Sequence, residues 1–233
     1  MLTLEQRFNE AVSELVDVCR SAGRDPSEVR LVAVSKTVGL AEVERAISAG
    51  AADFGENRPD QLMEKADRYP QARWHFIGNI QSRRIRDIVG RATLIHSLYQ
   101  ESHARKIDEI ACGQGIVQDV LVEVNVLGEA SKSGVAPAEA AALVRACGEL
   151  EHVRACGLMT MAPQGDPDAA RKAFEGLARL RDELRERMSA QEAAEFNELS
   201  MGMSDDWRIA VEQGATIVRI GRAIFSDSFG IRD

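Results

Sequence analysis

Short apolar segments alternate with segments of helical period from one end of the chain to the other. Eight of the apolar segments have the length and composition of buried β-strands, at residues 29–36, 52–57, 74–78, 94–98, 119–126, 153–161, 197–202 and 216–221. Strands that alternate with helices pair in parallel through right-handed crossovers, and both faces of such a sheet are buried. Eight repeats in 233 residues predict one α/β domain, residues 1–233, folded as a closed (β/α)8 (TIM) barrel. A doubly wound open sheet is the main alternative.

An extra helix is predicted before the first strand, at residues 3–21. Thr3 and Gln6 can form a capping box at its start. Its apolar face comprises Leu4, Phe8, Val12, Leu15 and Cys19. Further helices are predicted at residues 41–50, 81–89, 100–112, 137–147, 168–189 and 204–213. Only residues 222–233, ending in SDSFGIRD, follow the eighth strand, too few for a helix that covers a strand, so we expect the N-terminal helix to pack beside strands one and eight.

The charge balance excludes some classes of partner. The chain has 29 basic and 37 acidic residues, a formal charge of −8, which disfavours general binding to nucleic acid or to an anionic membrane. It lacks the apolar run of about 18 residues that a membrane span needs, and the N-terminus MLTLEQRFNE does not resemble a signal peptide. The four cysteines are scattered without a CxxC pair, which argues against zinc and disulfides. We expect a cytoplasmic monomer without a metal.

The first predicted strand, LVAVSK, ends in a lysine. Because strand side chains alternate, Val32, Val34 and Lys36 share one face, and if the valines point into the barrel then Lys36 points into its mouth. The carboxyl ends of the strands are where the chemistry of such barrels collects. A desolvated amine there would be a nucleophile suited to a Schiff base. The alternative is a strand-end lysine whose amine reaches solvent.

The last predicted strand, TIVRIG, contains an arginine among apolar residues. Ile217, Arg219 and Gly221 alternate on one face, and an arginine buried in a strand needs a partner. One interpretation is a buried salt bridge to an acid on a neighbouring strand. The other is that Arg219 faces an anion or a heteroaromatic acceptor in the barrel mouth.

The loops after strands seven and eight are the usual phosphate site of this fold. Ser200 and Gly202 close strand seven, and Gly221 and Arg222 follow strand eight. Glycine lets backbone N–H groups approach phosphate oxygens. Ser204 is predicted to begin a helix and to act mainly as its N-cap, because Asp205 and Asp206 beside it disfavour a phosphate.

Other polar residues lie within or at the ends of strands. Asn57 ends strand two, where it could bind a ligand or cap the next helix. His75 and His96 have no metal-like spacing and are predicted to be core histidines satisfied by hydrogen bonds. Three residues that end strands five and six are further candidates for the pocket lining: Asn125, Met159 and Thr160.

Seven ordered sequence blocks carry a family resemblance. They are AVSKT, FGENR, WHFIGNIQS, VNVLGEASKSGV, GLMTMAP, LSMGMSDDW and VRIGRAIF. Together they resemble the pyridoxal phosphate homeostasis proteins (proline synthetase co-transcribed homologs), from about residue 29 to residue 225. The resemblance implies a single barrel like the N-terminal domain of alanine racemase, with pyridoxal 5′-phosphate as its cofactor.

The resemblance also implies roles for individual residues. Lys36 matches the lysine that forms the internal aldimine, and Arg219 matches the residue that faces the pyridine nitrogen. A charged arginine there disfavours protonation of the ring and makes it a weaker electron sink. Asn57 falls near the cofactor ring.

The phosphate-binding positions of the family fall on Ser200, Gly221 and Arg222. In the family, the residues at the positions of Gly221 and Arg222 act mainly through their backbone. The sequence departs from many relatives at Arg83 and Arg84, which stand where those proteins carry Asn-Lys. No role is predicted for this basic pair.

Two functions compete. The resemblance implies a non-catalytic protein that holds pyridoxal phosphate on Lys36, buffers this reactive aldehyde and delivers it to apo forms of enzymes that use it. The alternative is a racemase of the alanine racemase type, which needs an acid/base group on each face of the substrate carbon. The second base of alanine racemase is a tyrosine from a C-terminal β domain, whereas this sequence ends at Asp233 and offers only Tyr69 and Tyr99. A sugar-phosphate aldolase that uses Lys36 is a third interpretation, which Arg219 disfavours.

Overall fold

A computed structural model describes residues 2–227 and shows a closed barrel of parallel strands within them. The strands are β1 (Arg30–Val34), β2 (Asp53–Glu56), β3 (Arg73–Phe76), β4 (Leu94–Leu98), β5 (Gln118–Glu123), β6 (Val153–Met159), β7 (Glu198–Ser200) and β8 (Ile217–Ile220). Each strand pairs with the next in the chain, and β8 pairs with β1 through Leu31 opposite Val218 and Val32 opposite Arg219. The predicted (β/α)8 barrel is therefore confirmed, and the open sheet is wrong because β1 has neighbours on both sides.

Helices surround this barrel. Those in residues 2–227 are α1 (Leu4–Ser21), α2 (Leu40–Ser48), α3 (Pro59–Arg68), α4 (Ile85–Ile88), α5 (Glu101–Gln114), α6 (Pro137–Gly148), α7 (Pro167–Arg185), α8 (Ala190–Glu195), α9 (Trp207–Glu212) and α10 (Arg222–Phe225), with 3₁₀ turns at Pro26–Glu28 and Ser82–Arg84. Most predicted elements are present but shorter than expected. The predicted helix at residues 81–89 is a 3₁₀ turn followed by one turn of α-helix, and the one at 168–189 ends at Arg185, after which Ser189 caps the separate helix α8.

Helix α1 occupies the place that the short α10 leaves uncovered. It packs against α2, α9 and α10, the helices that follow β1, β7 and β8. Arg7 Nε donates to the carbonyl oxygen of Ile224 over 2.8 Å, which ties α1 to α10. This is the predicted position beside strands one and eight, although residues 228–233 of the SDSFGIRD segment lie outside the described residues.

The N-terminal capping box of α1 is also present. The Gln6 N–H donates to Thr3 Oγ1 (3.3 Å), and the Thr3 N–H donates to Gln6 Oε1 (2.8 Å). Val12 was predicted on the buried face but is 38% exposed, and Ala11 is buried in its place because the face follows the 3.6-residue helical period.

The interior of the barrel has its own small apolar cluster, separate from the larger core between strands and helices. Its members are Val32, Leu94, Leu121, Cys156, Met159 and Ile217. The interior also holds a set of buried polar side chains, namely Asp53, His75, His96, Ser200 and Arg219. The core of the barrel is therefore part apolar and part hydrogen-bonded.

Among residues 2–227, no helix is long and apolar enough to cross a membrane, and no group of histidine, cysteine and carboxylate side chains could hold a metal ion. Cys19, Cys112, Cys147 and Cys156 are free thiols.

Candidate functional site

A cavity of about 690 Å³ opens at the carboxyl end of the barrel. Its wall is built from the ends of β1, β6 and β8 and from the segments that follow β1, β2, β3, β6, β7 and β8. Five of the six predicted cofactor-binding residues line this cavity: Lys36, Asn57, Arg219, Gly221 and Arg222. The structure therefore brings together residues from the first and the last strands of the chain.

Lys36 lies in the turn after β1, two residues beyond the last strand residue, Val34. Its side chain is exposed at the cavity rather than desolvated, which corrects the expectation of a buried amine. The turn itself is held firmly from behind. The Ser35 N–H donates to the Gly55 carbonyl oxygen over 3.0 Å, and the Ser35 hydroxyl donates to Glu56 Oε1 over 2.6 Å. Lys36 is thus an accessible amine on a fixed backbone.

The anchor behind Ser35 is a buried ion pair outside the barrel. Lys65 of α3 and Glu56 of β2 are both fully buried, and Lys65 Nζ lies 2.6 Å from Glu56 Oε1. Lys65 Nζ also donates to the carbonyl oxygen of Ser35 over 2.9 Å. Sequence analysis missed this pair, because an acid at a strand end and a lysine in a polar helix carry no separate signal of burial.

Arg219 lies on the inner face of β8 and is only 4% exposed. Its Nη1 donates to Ser200 Oγ (2.5 Å) and its Nη2 to the Thr160 carbonyl oxygen (3.1 Å). It forms no ion pair with any carboxylate in residues 2–227, so the predicted salt-bridge alternative is wrong. Burial lowers the pKa of the guanidinium to about 10, against the opposing charges of Asp206 and Glu123. Arg219 therefore stays charged at neutral pH.

Two histidines connect Arg219 to the far side of the barrel interior. His96 Nδ1 lies 2.7 Å from Ser200 Oγ, and His96 Nε2 lies 2.9 Å from His75 Nδ1. His75 Nε2 in turn lies 3.0 Å from Asp53 Oδ1. Burial lowers the pKa of both imidazoles. The prediction that these are core histidines satisfied by hydrogen bonds is confirmed.

Ser200 does not lie on the cavity wall. Its side chain is fully buried, and its hydroxyl contacts Arg219 and His96. Strand β7 ends at this residue, and the alternation of side chains turns Ser200 towards the barrel interior instead of the mouth. The structure does not bring Ser200 together with the other predicted phosphate residues.

The loop after β7 contributes Ser204 instead. The Gly221 N–H donates to Ser204 Oγ over 3.3 Å, and both residues line the cavity. Ser204 is not the predicted N-cap: α9 begins at Trp207, and Asp206 accepts a hydrogen bond from the Met203 N–H over 2.6 Å. Arg222 forms an ion pair with Asp205, so each carboxylate of this loop already has a donor.

At two positions of the cavity wall the backbone comes so close to a neighbouring residue that a glycine is favoured. A Cβ atom on Gly221 would lie 3.2 Å from Val34 Cβ, where β8 meets β1. A Cβ atom on Gly78 would lie only 2.1 Å from the carbonyl oxygen of Asn57, so a larger residue there would displace Asn57. Asn57 is exposed on the cavity wall, where its side chain can reach a ligand.

Of the other residues predicted to line the pocket, one does so and two do not. Met159 lines the cavity, whereas Asn125 braces its own loop through Glu129 and Thr160 is buried behind Arg219. Sequence analysis missed most of the segment after β6, which lines the cavity with Met161, Pro163, Gln164, Gly165 and Asp166. Its Pro and Gly residues, directly after a strand end, are the signal that could have found it. Arg83 and Arg84 do not line the cavity, and Arg84 pairs with Asp60 and Asp87.

Known proteins share this barrel. The family model of the alanine racemase N-terminal domain matches residues 10–228. A pyridoxal phosphate homeostasis protein of Aquifex aeolicus is 37% identical over 95% of this chain and 97% of its own length. A protein of the same name from Pseudomonas aeruginosa is 38% identical over 100% of this chain and 97% of its own.

Solved structures agree. PipY of Synechococcus elongatus, whose structure was solved with PLP bound, has a TM-score of 0.81 and 32% identity over 92% of this chain and 100% of that one. Alanine racemase of Clostridium difficile shares the fold at 14% identity, with a TM-score of 0.72 over 92% of this chain and 59% of its own. The fold and the cavity thus define a barrel of the alanine racemase N-terminal type. Within that class, the chain belongs to the pyridoxal phosphate homeostasis protein family, as its sequence blocks predict.

Proposed function

We propose that this protein binds pyridoxal 5′-phosphate in the cavity at the carboxyl end of its barrel and holds it through a Schiff base with Lys36. The observation that carries this proposal is that Lys36 and Arg219 line one cavity, although they belong to opposite ends of the chain. The names of the curated relatives and the PLP in the PipY structure support the choice of ligand.

The residues of the cavity fit the three parts of this ligand. Its aldehyde requires an accessible amine, which Lys36 provides. Its pyridine nitrogen accepts a hydrogen bond, which the charged guanidinium of Arg219 can donate. Its phosphate requires backbone N–H groups beside residues without bulk, and the position of Gly221 and Arg222 on the cavity wall supports this role for them. The cavity volume is that of a small-molecule site.

Asp205 and Asp206 would oppose a phosphate in the same loop if their charges were free. The Asp205 carboxylate pairs with Arg222 and the Asp206 carboxylate accepts from the Met203 N–H, so their lone pairs are partly satisfied. The loop can therefore accept an anion at the Gly221 side.

Arg219 also decides what kind of chemistry the site favours. The bound cofactor supplies a reactive aldehyde and an electron-accepting ring, and the ring is strongest as an acceptor when its nitrogen is protonated. A charged guanidinium beside that nitrogen disfavours protonation. We infer that the site holds the cofactor for buffering and for delivery to apo-enzymes, as a cytoplasmic monomer. Four free thiols support a reducing compartment.

A racemase would need a second acid/base group opposite Lys36. Tyr69 is buried with its hydroxyl on the Leu40 carbonyl oxygen (3.2 Å), and Tyr99 bonds Asn79 (3.0 Å). Neither tyrosine lines the cavity in the described part of the chain. The geometry therefore supports the binding protein over the racemase.

Labelling with borohydride tests the proposal. We expect purified protein incubated with pyridoxal phosphate to show a visible absorption band, and reduction to fix the ligand to Lys36 in a peptide found by mass spectrometry. Lys36→Ala should lose the band and the label. Lys106→Ala, which removes an exposed lysine of α5, is the matched control and should keep both. A label on another lysine in the unmodified protein would refute the assignment.

A second measurement separates binding from catalysis. The loaded protein is incubated with a panel of L-amino acids, and the D-isomers are quantified against free pyridoxal phosphate. We expect no excess over the free cofactor. Turnover that exceeds this control and disappears in Lys36→Ala would establish the racemase instead.

A further inference from the structure

A continuous chain of hydrogen bonds crosses the inside of the barrel and ends at Arg219. It runs from Asp53 on β2 to His75 on β3, His96 on β4, Ser200 on β7 and Arg219 on β8, with donor–acceptor distances of 3.0, 2.9, 2.7 and 2.5 Å. All of its members are at most 5% exposed. We call these five residues the interior chain.

The far end of the interior chain fixes the direction of its bonds. Two oxygens of the Asp53 carboxylate accept from Arg73 over 2.8 and 2.5 Å, and the hydrogen bonds from His75 and Arg73 keep the pKa of Asp53 at about 2, although its burial acts to raise the pKa. A carboxylate can only accept, so His75 must donate from Nε2. A neutral His75 then accepts at Nδ1, which makes His96 the donor at Nε2.

The same assignment of donors and acceptors extends through Ser200 to Arg219 at the cavity. His96, donating from Nε2, accepts at Nδ1, so the Ser200 hydroxyl donates to His96. The oxygen of Ser200 accepts from Arg219 Nη1. Every hydrogen bond therefore points from Arg219 towards Asp53, away from the cavity.

The opposite arrangement leaves a donor without a partner. If His75 were charged and donated from both nitrogens, His96 would donate from Nδ1 to Ser200. Ser200 would then accept twice, and its own proton would have no acceptor among residues 2–227. Such a charge would also lie in the same buried interior as Arg219. Burial lowers the pKa of both histidines, in agreement with neutral rings.

We propose that Asp53, His75, His96 and Ser200 are positioning residues, which hold the Arg219 guanidinium at the cavity with its charge intact. Ser200 acts only as an acceptor for Arg219, because its proton is committed to His96. It is thus an anchor for the arginine and not a phosphate ligand. Three neutral residues, Ser200, His96 and His75, separate Arg219 from the Asp53 carboxylate, whereas a carboxylate in direct contact would cancel the charge of the guanidinium. The part of this inference that concerns a bound cofactor rests on the proposed function.

The direction of the chain can be tested without any ligand. The chemical shifts of imidazole nitrogens distinguish the two neutral tautomers and the charged ring. At neutral pH, we expect His75 and His96 to be neutral with the proton on Nε2. A proton on Nδ1 of His96, or a charged His75, would overturn the inference, whatever the protein binds.

The anchoring role is tested by rotation of the Arg219 guanidinium in the ligand-free protein. Ser200→Ala should speed exchange between its Nη groups by about tenfold, as expected for one lost buried hydrogen bond. Ser200→Thr keeps the hydroxyl and should restore slow exchange. His103→Asn, which changes a buried histidine bonded to Ser82, is the matched control and should have no effect. Equal rates in all four proteins would refute the anchor.

A third measurement uses the loaded protein and separates the two roles of Ser200. With pyridoxal phosphate bound, Ser200→Ala should move the pyridine nitrogen resonance and leave the phosphorus resonance unchanged. A shift of phosphorus alone would make Ser200 a phosphate ligand and refute the proposal. If the unmodified protein bound no pyridoxal phosphate, the proposed function would fail, while the two ligand-free measurements would still decide the role of the interior chain.

Discussion

Two buried cations lie near the strand ends that form the site, and they differ in whether a carboxylate contacts them. Lys65, outside the barrel, is fully buried and lies 2.6 Å from the Glu56 carboxylate. Arg219, inside the barrel, is 4% exposed, and its hydrogen bonds within residues 2–227 go to the neutral oxygens of Ser200 and Thr160. One charge is neutralised by direct contact, and the other is not.

This difference separates a structural cation from one that is available to a ligand. A buried charge is tolerated when it is paired or fully hydrogen-bonded. Lys65 is paired and fixes the end of β1 through the Ser35 carbonyl oxygen. Arg219 is hydrogen-bonded, and the charges of Asp206 and Glu123 act on it without forming an ion pair. The Arg219 guanidinium therefore keeps its positive charge available at the cavity because no carboxylate in residues 2–227 forms an ion pair with it.

The largest expected effect tests the paired cation. Lys65→Met leaves Glu56 buried and unpaired, so we expect the free energy of unfolding, measured with urea, to fall by about 3–5 kcal/mol. Arg219→Met leaves only neutral acceptors without a donor and should cost about 1–3 kcal/mol.

A double variant is the control. Lys65→Met with Glu56→Leu removes both charges and should recover most of the lost stability, because no charge is left unpaired. If Arg219→Met were more destabilising than Lys65→Met, the comparison would be reversed, and Arg219 would be the structural cation.

The two cations also differ in how well the sequence predicts them. Arg219 interrupts an apolar strand, and such an interruption is visible in one sequence. Lys65 lies in PDQLMEKADR, which has the composition of an ordinary exposed helix. Its burial arises because α3 packs against β2 and β3 and the Lys65 side chain reaches the Ser35 carbonyl oxygen after β1. Such tertiary packing is not visible in a local sequence pattern.

The same limit explains the results at the rest of the site. The alternation of side chains along β1 and β8 correctly predicts that Lys36 and Arg219 lie at the same end of the barrel. This prediction succeeds because the two-residue alternation of a strand depends only on neighbouring residues in the sequence. It also implied a desolvated Lys36, but β1 ends at Val34, and the exposure of the turn depends on the surrounding loops. Ser200 was assigned through its motif, yet its environment is set by His96, far away in sequence.

The second prediction concerns pH and distinguishes the interior chain from the ion pair. Burial lowers the pKa of His75 and of His96, whereas the pKa of a histidine in the unfolded chain is about 6.5. Below that pH the unfolded chain binds protons that the folded protein does not, so stability falls as pH decreases. Each histidine contributes up to about 1.4 kcal/mol per pH unit.

Urea unfolding across this pH range measures the effect. His96→Gln should give a shallower decline than the unmodified protein, whereas the double variant Lys65→Met with Glu56→Leu, which removes both charges of the ion pair, should leave the slope unchanged. His103, whose pKa burial also lowers, contributes equally to all three proteins and cancels in the comparison. Equal slopes with and without His96 would show that its ring is not held neutral.

The smallest expected effect tests whether Arg219 can be displaced without disturbing Lys65. Gly221 follows Arg219 by two residues, and its backbone φ of −115° suits any residue, so only space opposes a side chain. A methyl group in Gly221→Ala would lie 3.2 Å from Val34 Cβ and push the end of β8 from β1. We expect a loss of about 1 kcal/mol of stability, together with weaker binding of pyridoxal phosphate.

The control variant is Gly113→Ala, on the exposed face of α5, where no atom lies within 4 Å of the new Cβ. It should instead stabilise the protein by about 0.5–1 kcal/mol and leave binding unchanged. Unaltered binding in Gly221→Ala would mean that the spacing of β1 and β8 at the mouth does not control the position of Arg219.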